Sequence, residues 1–248
     1  MTARQNPILI AAGGTGGHIF PAVSLASALS ARGHSILFVT DPRGEQVKSE
    51  VLDLPKTVVR HTISARSLGG GPKGMLTGIR TLAKGYFESR QLVREYDPAL
   101  AVGFGGYPSV PPILAAGFAG IPTIIHEQNA VLGRANRRLA RGARAFALSF
   151  AETQRMKSAG HSRATVVGNP VRPGIAALSA RPYTPPSGVI DLLIVGGSQG
   201  AQVFSKIVPA AFTSLNAPQR ARFRLTQQCR REDLNEVSAT YASLNMPV

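Results

Sequence analysis

The sequence predicts an α/β fold in which parallel strands alternate with helices. Three observations support this class: short apolar runs alternate with helical patterns, glycine-rich turns follow three of those runs, and the pattern restarts after a proline-rich segment. Such alternation is typical of a parallel sheet that is covered by helices on both faces. We therefore expect two domains of the same class.

The first domain is expected to span residues 1–173. Its strands are predicted at residues 8–12, 35–40, 57–63, 100–104, 123–126 and 145–148. An amphipathic helix is predicted at about 19–32. A second helix, at about 73–95, is expected to stop at Asp97-Pro98, because proline cannot continue a helix.

The second domain is expected to span residues 174–248. A proline-rich linker at 181–188 precedes a restart of the pattern, with strands predicted at 189–195 and 223–226 and helices at about 201–215 and 232–241. About 60 residues after the linker are too few for a doubly wound sheet. The second domain is therefore predicted to be truncated.

Composition limits the function classes. Hydrophobic residues make up 44% and charged residues 17% of the chain, which is typical of a globular protein. Cys229 is the single cysteine, which excludes an internal disulfide and a cysteine metal cage. No apolar run approaches the roughly 18–20 residues of a spanning helix, and no secretory signal is apparent, so we expect a cytosolic protein.

The charge balance, 28 basic against 13 acidic residues, favours polyanionic partners. Nucleic acid, an anionic membrane face and phosphorylated substrates all fit this charge. The basic residues are spread along the chain and are not interleaved with aromatic residues, so we expect no nucleic-acid partner.

Glycine-rich turns follow three predicted strands, at residues 13–18, 103–108 and 196–200. Glycine lets a backbone approach a ligand, and the helix that follows offers free N–H groups to phosphate. The alternative is that these glycines only shape the strand-to-helix turns. Three such turns at the carboxyl ends of strands, where open α/β sheets bind ligands, favour a phosphate or nucleotide site.

The common phosphate motifs are absent from the sequence. A dinucleotide fingerprint starting at Gly14 meets Ile19 where its third glycine should stand, and no P-loop motif occurs. No Asp-x-Asp pair occurs either. We therefore expect no cofactor and no metal, with helix N-termini stabilising a leaving diphosphate.

Several segments together resemble one enzyme family. They are Gly13–Ala22, Gly103–Ser109, His126–Asn129, Val167–Arg172, Gly196–Ala201 and the pair Gln227-Gln228. This ordered set resembles the MurG family, the undecaprenyl-pyrophosphoryl-muramoylpentapeptide N-acetylglucosaminyltransferases.

The resemblance implies a GT-B fold, with two Rossmann-like domains that contain parallel sheets, the second incomplete here. It implies transfer of N-acetylglucosamine from UDP-GlcNAc to the 4-hydroxyl of the lipid-linked muramoyl pentapeptide, with inversion, in peptidoglycan synthesis. The first domain would carry the acceptor site and the membrane face, and the second most of the nucleotide site. The location implied is peripheral, on the cytoplasmic face of the inner membrane.

The resemblance also implies donor contacts. These would be Thr15, Gly16, Gly17, Asn129, Arg172 and Ser198. Arg172 is otherwise a solvated linker residue, and Ser198, beside Gln199, is otherwise an N-cap. Gln228 belongs to the resembling set. Tyr107 either lines the acceptor cleft or packs beside the second turn.

Inverting transfer needs a base for the attacking hydroxyl. His18 is the first candidate because imidazole titrates near neutral pH. Alternatively, His18 orients its own loop. Glu127 is the second candidate for the base, and it otherwise orients the acceptor or has a structural role.

The helix at 73–95 has an apolar stripe and a separate basic face. Met75, Ile79 and Leu82 lie on the stripe, and the basic face is formed by Lys73, Arg80 and Lys84. Together they could dock the protein on an anionic membrane. The alternative is an ordinary amphipathic helix whose stripe packs on the sheet.

Three other functions remain open. The chain could serve a GT-B transferase with a different acceptor, or act as a noncatalytic fragment that binds the acceptor or the membrane. A nucleotide-cofactor oxidoreductase is disfavoured by the broken fingerprint.

Overall fold

A computed structural model describes residues 6–13, 16–45, 54–67, 69, 71–197 and 201–246. The chain divides into two compact units, Met1–Ser179 and Ala180–Val248. This division lies after residue 173, the boundary expected from the sequence. Among the described residues, no helix is both long enough and apolar enough to cross a membrane.

The first unit is built on a seven-stranded parallel sheet of order β3-β2-β1-β4-β5-β6-β7. Its strands are β1 (Ile8–Ala11), β2 (Ile36–Thr40), β3 (Val59–Thr62), β4 (Leu100–Gly103), β5 (Thr123–Glu127), β6 (Ala145–Leu148) and β7 (Ala164–Val166). Six of these match the strands predicted from the sequence, and β7 is an addition. The α/β class with a parallel sheet is confirmed.

Helices cover both faces of this sheet. They are α1 (Gly16–Ala31), α2 (Pro42–Glu45), α3 (Gly71–Tyr96), α4 (Val110–Phe118), α5 (Arg134–Leu139) and α6 (Ser158–His161). A last short helix, α7 (Pro173–Ala176), has no buried residue and does not cover the sheet. One core cluster joins α1 to the sheet, and another joins α3, α4 and α5 to it. Helix α1 differs from the amphipathic prediction, because positions 21–24 are all buried and its first half has no polar face.

The second unit contains a two-stranded parallel sheet of β8 (Ile190–Ile194) and β9 (Phe223–Gln227). Its helices are α8 (Gln202–Thr213), α9 (Ala217–Arg220) and α10 (Leu234–Ser243). Phe212, Leu225 and Tyr241 form the centre of a separate core. Strand β8 leaves Leu193 67% exposed, so one face of this sheet is uncovered, although parallel sheets are usually buried on both faces.

Candidate active site

Two of the predicted glycine turns meet at the carboxyl edge of the seven-stranded sheet, because β1 and β4 are parallel neighbours. Gly105 and Gly106 have φ angles of 82° and 73°, a region that favours glycine. A Cβ atom on Gly106 would lie 2.8 Å from the Gly13 carbonyl oxygen, and one on Gly105 would lie 3.2 Å from Cδ2 of His18. Glycine is therefore required for the two turns to approach each other.

The side chain of Gln128 ties these turns together. Its Nε2 atom donates to the carbonyl oxygens of Gly17, at 3.1 Å, and Phe104, at 3.0 Å. Pro21 lies four residues after Gly17 in α1 and has no N–H to donate to that carbonyl. The proline thus leaves an acceptor that Gln128 fills, which holds the start of α1 against β5.

Glu127 is buried at the end of β5, and both of its carboxylate oxygens are engaged. Oε1 accepts hydrogen bonds from the backbone N–H and the side-chain amide of Asn129, at 3.0 and 2.9 Å. Oε2 accepts from the Gly133 N–H and from Asn136 Nδ2, at 2.8 and 2.9 Å. This carboxylate therefore organises the loop between β5 and the first turn of α5.

A cavity of about 280 Å³ lies beside these turns. Four of the predicted site residues, His18, Tyr107, Glu127 and Asn129, line it. Burial lowers the pKa of His18 below 6.5, and the nearby Glu127 charge acts in the opposite direction. A histidine with a lowered pKa is neutral at pH 7, the form that accepts a proton.

His126 supports the site from inside the protein. Its ring stacks on Phe104 with centroids 4.9 Å apart, and Nε2–H donates to the Gly168 carbonyl at 3.2 Å. Burial lowers its pKa, while the hydrogen bond to Gly168 opposes that shift. His126 thus connects the resembling segment at Gly168 to β5.

The remaining predicted contacts lie in different places. Gly16 and Gly17 form the first turn of α1, and the Arg172 guanidinium carbon lies 4.9 Å from the centre of the Phe20 ring in that helix. In the second unit, Gln228 Oε1 accepts from the Gly196 N–H at 2.9 Å. The Gln228 amide also donates to the Gly197 carbonyl at 2.9 Å, so this side chain braces the third glycine turn. Thr15, Ser198 and Gln199 lie outside the described residues.

Four further polar side chains line the cavity and were not predicted: Arg43, Ser67, Arg134 and Asn136. Arg43 donates to the buried Asp41 carboxylate at 2.8 Å, which fixes its position at the end of β2. Asn136 donates to the His126 carbonyl at 3.1 Å. Asn136 lies between Ala135 and Leu139 in the sequence, but its burial is seen only in the structure.

Helix α3 is attached to the sheet through its second half. Glu88 accepts hydrogen bonds from the backbone N–H and the hydroxyl of Ser64, and a Cβ atom on Gly85 would meet the Ser64 carbonyl. In the first half, Met75 and Ile79 are 52% and 48% exposed.

The other predicted membrane residues are also accessible. Leu82 is half-buried, and Lys73, Arg80 and Lys84 are exposed. Lys84 is 3.7 Å from Glu88. The alternative in which the whole stripe packs on the sheet is therefore wrong, because Met75 and Ile79 of that stripe are about half exposed.

No group of three or more His, Cys, Asp or Glu side chains suited to a metal occurs within the part of the chain that the structure describes. The site instead offers glycine N–H groups, the start of α1 and the side chains of the cavity. Such an arrangement suits a phosphorylated ligand and a proton transfer.

The fold is that of a glycosyltransferase, and the chain belongs to glycosyltransferase family 28. The pattern of the N-terminal domain of this family matches residues 8–148.

Within this family, the chain is similar to two curated proteins, both named UDP-N-acetylglucosamine--N-acetylmuramyl-(pentapeptide) pyrophosphoryl-undecaprenol N-acetylglucosamine transferase. The protein from Rhodospirillum centenum is 47% identical over 97% of this chain and 63% of its own length. The protein from Granulibacter bethesdensis is 48% identical over 96% of this chain and 62% of its own length. The chain thus spans less than two thirds of these relatives.

A solved structure also resembles this fold. The crystal structure of Acinetobacter baumannii MurG superimposes with a TM-score of 0.67 at 26% identity, over 96% of this chain and 63% of that one. These comparisons confirm the resemblance to the MurG family that the sequence motifs indicated. They also confirm the GT-B fold class.

Proposed function

We propose that this chain supplies the acceptor side of a transferase that moves N-acetylglucosamine from UDP-GlcNAc to the 4-hydroxyl of a lipid-linked muramoyl pentapeptide. The product would be the disaccharide lipid precursor of peptidoglycan. One observation carries the proposal: His18, Tyr107, Asn129 and two glycine turns share one cavity in a chain with close transferase relatives.

His18 is the proposed base, and Glu127 is assigned the positioning role. A neutral imidazole in the cavity can accept the proton of the attacking hydroxyl. The Glu127 oxygens already accept four N–H bonds, so protonating this carboxylate would break the loop that it holds. The Glu127 charge would instead stabilise the imidazolium as it forms.

Inversion requires the hydroxyl to attack the face opposite the leaving diphosphate. Backbone N–H groups at the start of α1 are the proposed stabilisers of that diphosphate, without a metal. Arg172 is the proposed second contact, since a guanidinium fits phosphate. Its guanidinium packs against the ring of Phe20, a residue of α1. Thr15, Gly16, Gly17, Asn129 and Ser198 are retained as proposed donor contacts, and Gln199 and Gln228 as proposed substrate-binding residues.

The exposed apolar residues of α3, together with the end of α4, are the proposed membrane contact. Met75 and Ile79 are about half exposed, and Phe87 and Phe118 are 65% and 79% exposed on α3 and the adjoining α4. Lys73 and Arg80 would add attraction to an anionic bilayer. We propose peripheral binding at the cytoplasmic face of the inner membrane, where the lipid-linked acceptor lies.

Transfer of labelled N-acetylglucosamine tests the activity. The assay uses this chain extended by roughly 110 residues, enough to complete a second domain of this class. Acceptors are a soluble diphosphate-linked muramoyl pentapeptide, the same molecule without its diphosphate, and unrelated sugar lipids. We expect transfer to the first acceptor alone. Preference for another acceptor would show a family 28 enzyme of different specificity.

A further inference from the structure

The side chain of Asn136 places a buried acceptor oxygen in the wall of the active-site cavity. Asn136 lies in the first turn of α5, is 2% exposed, and lines the same cavity as His18. Its Nδ2 group donates to Oε2 of Glu127 at 2.9 Å and to the carbonyl of His126 at 3.1 Å. No N–H or O–H group of the described residues donates to Oδ1. A buried acceptor left in this state costs free energy until a donor reaches it.

The orientation of the Asn136 amide follows from its two partners. Both partners of Nδ2 are oxygens, so turning the amide over would set Oδ1 against the Glu127 carboxylate and the His126 carbonyl. The NH₂ group therefore stays on these oxygens, and Oδ1 occupies the other side of the amide. A hydrogen bond from the NH₂ group to a carboxylate also polarises the amide, which makes Oδ1 a stronger acceptor.

The ring of His18 lies against the same point of the second glycine turn as this oxygen. A Cβ atom on Gly105 would lie 3.2 Å from Cδ2 of His18 and 3.4 Å from Oδ1 of Asn136. Glycine leaves this point free of a side chain. Catalytic hydrogen bonds are often long or poorly aligned before the substrate binds and tighten afterwards. The imidazole is therefore a donor placed to reach Oδ1 when the cavity is filled.

The titratable and charged side chains around His18 come from several elements. They are Glu127 in β5, Arg43 in α2 with its partner Asp41, Arg134 in α5, and Tyr107 in the second glycine turn. The Glu127 charge raises the pKa of His18, against the larger effect of burial. A carbonyl oxygen that accepts from the ring would act in the same direction as Glu127, because a hydrogen bond to the charged form favours that form.

We propose that Asn136 is a positioning residue for the base, and that its Oδ1 accepts the N–H of His18 during transfer. The inference rests on the proposed function and adds one residue to it. The ring nitrogen without a proton takes the proton of the attacking hydroxyl. The hydroxyl oxygen forms the new bond to the sugar carbon, and the bond from that carbon to the diphosphate breaks with its electron pair leaving on the diphosphate.

The opposite ring nitrogen keeps its N–H on Oδ1 throughout this step. That hydrogen bond selects the tautomer in which the other nitrogen faces the hydroxyl, since the partner of one ring nitrogen decides which nitrogen carries the proton. The positive charge that forms on the ring is then stabilised by an amide whose other end is bound to Glu127.

Nuclear magnetic resonance of the 248-residue chain tests the contact without a change at Asn136. The side-chain amide signals of Asn136 should shift over the pH range in which the His18 ring titrates. In His18→Gln this dependence should disappear, and any remaining shift should follow the ring of His126. Amide signals that ignore His18 in the parent, or that respond to pH unchanged in His18→Gln, would overturn the proposal.

Single-turnover transfer by the extended chain gives a second readout, with Asn136→Ala. Loss of the acceptor should slow transfer by about tenfold, the effect of one hydrogen bond, and should move the acid limb of the rate to lower pH. A purely structural role predicts the opposite movement, because the smaller side chain would admit water to His18 and relieve its burial. An acid limb that stays in place or moves to higher pH would contradict the proposal.

Leu139→Ala is the matched control for lost stability. Leu139 is buried in the same helix and does not line the cavity, so its loss should destabilise the unit and leave the acid limb unmoved. Urea unfolding measures both variants. If the extended chain transfers nothing while the Asn136 amide follows His18, the proposed function fails and the contact stands. If transfer proceeds and the amide ignores His18, the positioning role fails and the proposed function stands.

Discussion

Replacing Glu127 by glutamine should destabilise the first unit strongly. Each carboxylate oxygen accepts two N–H donors, and a glutamine side chain keeps only one oxygen. In either amide orientation, two donors therefore face an NH₂ group. Hydrogen bonds to a buried charge contribute about 1.5–3 kcal/mol each, so losing two should cost about 3–6 kcal/mol.

That loss is a large part of the roughly 5–15 kcal/mol by which domains are stable. It corresponds to a melting temperature lower by about 10 °C for a domain of this size. Urea unfolding at pH 7, followed by circular dichroism, measures the free energy of unfolding. Hydrogen exchange at the amides of Asn129 and Gly133 should show that the loop between β5 and α5 is affected.

The matched control is Glu152→Gln, at an exposed glutamate of the same unit, which should change stability by less than about 0.5 kcal/mol. The reasoning would be refuted if Glu127→Gln cost less than about 1 kcal/mol. Such a result would mean that the four donors do not depend on the carboxylate charge.

Three further predictions follow from single contacts. Gly105→Ala should lower the free energy of unfolding by about 1–2 kcal/mol, because φ is 82° and the new Cβ atom would crowd the His18 ring. Urea unfolding and the NMR signals of the His18 ring measure this effect, and unchanged values would contradict the prediction. Gln228→Ala should free the Gly196 amide and destabilise its turn by about 1 kcal/mol, seen as faster hydrogen exchange there and not in the first unit. Stability should fall as the pH drops below about 6.5, because burial lowers the pKa of His18 and His126 and the unfolded chain then binds more protons than the folded protein. A urea midpoint that stays constant or rises toward pH 5.5 would contradict this prediction.

Local sequence signals were sufficient for most of the framework. β6 has the predicted bounds, and α3 begins and ends within two residues of its prediction. Both elements are marked by apolar periodicity and by breakers such as Asp97-Pro98. β7 was missed because three residues are too short for a periodic pattern, and its pairing with β6 defines it.

The site was predicted in part. Glycine turns are local features, so their positions at strand ends could be read directly, and they bring His18 and Tyr107 to one cavity. The link from Gln128 to Gly17 joins residues that are distant in sequence. The ion pair with Asp41 holds Arg43 at the wall of the cavity, and nothing in the local sequence predicts that pair.

The role of Glu127 depends on geometry that the sequence does not contain. A lone acid after a strand is compatible with a base, an orienting group or a structural carboxylate. Its four hydrogen bonds distinguish these roles because they require the loop to turn back toward the end of β5. The exposure of Met75 likewise required the structure, since the apolar stripe alone fits packing on the sheet equally well.

The single-turnover rate of N-acetylglucosamine transfer by the extended chain, with His18 and with His18→Gln, tests the central claim most directly. The parent should transfer to the diphosphate-linked muramoyl pentapeptide, with a rate that falls at acid pH below 6.5 as His18 is protonated. The variant should be slower by about 10²–10⁴-fold and lose this acid limb, with acceptor binding retained. An undiminished rate in the variant, or an acid limb that persists without His18, would contradict the account.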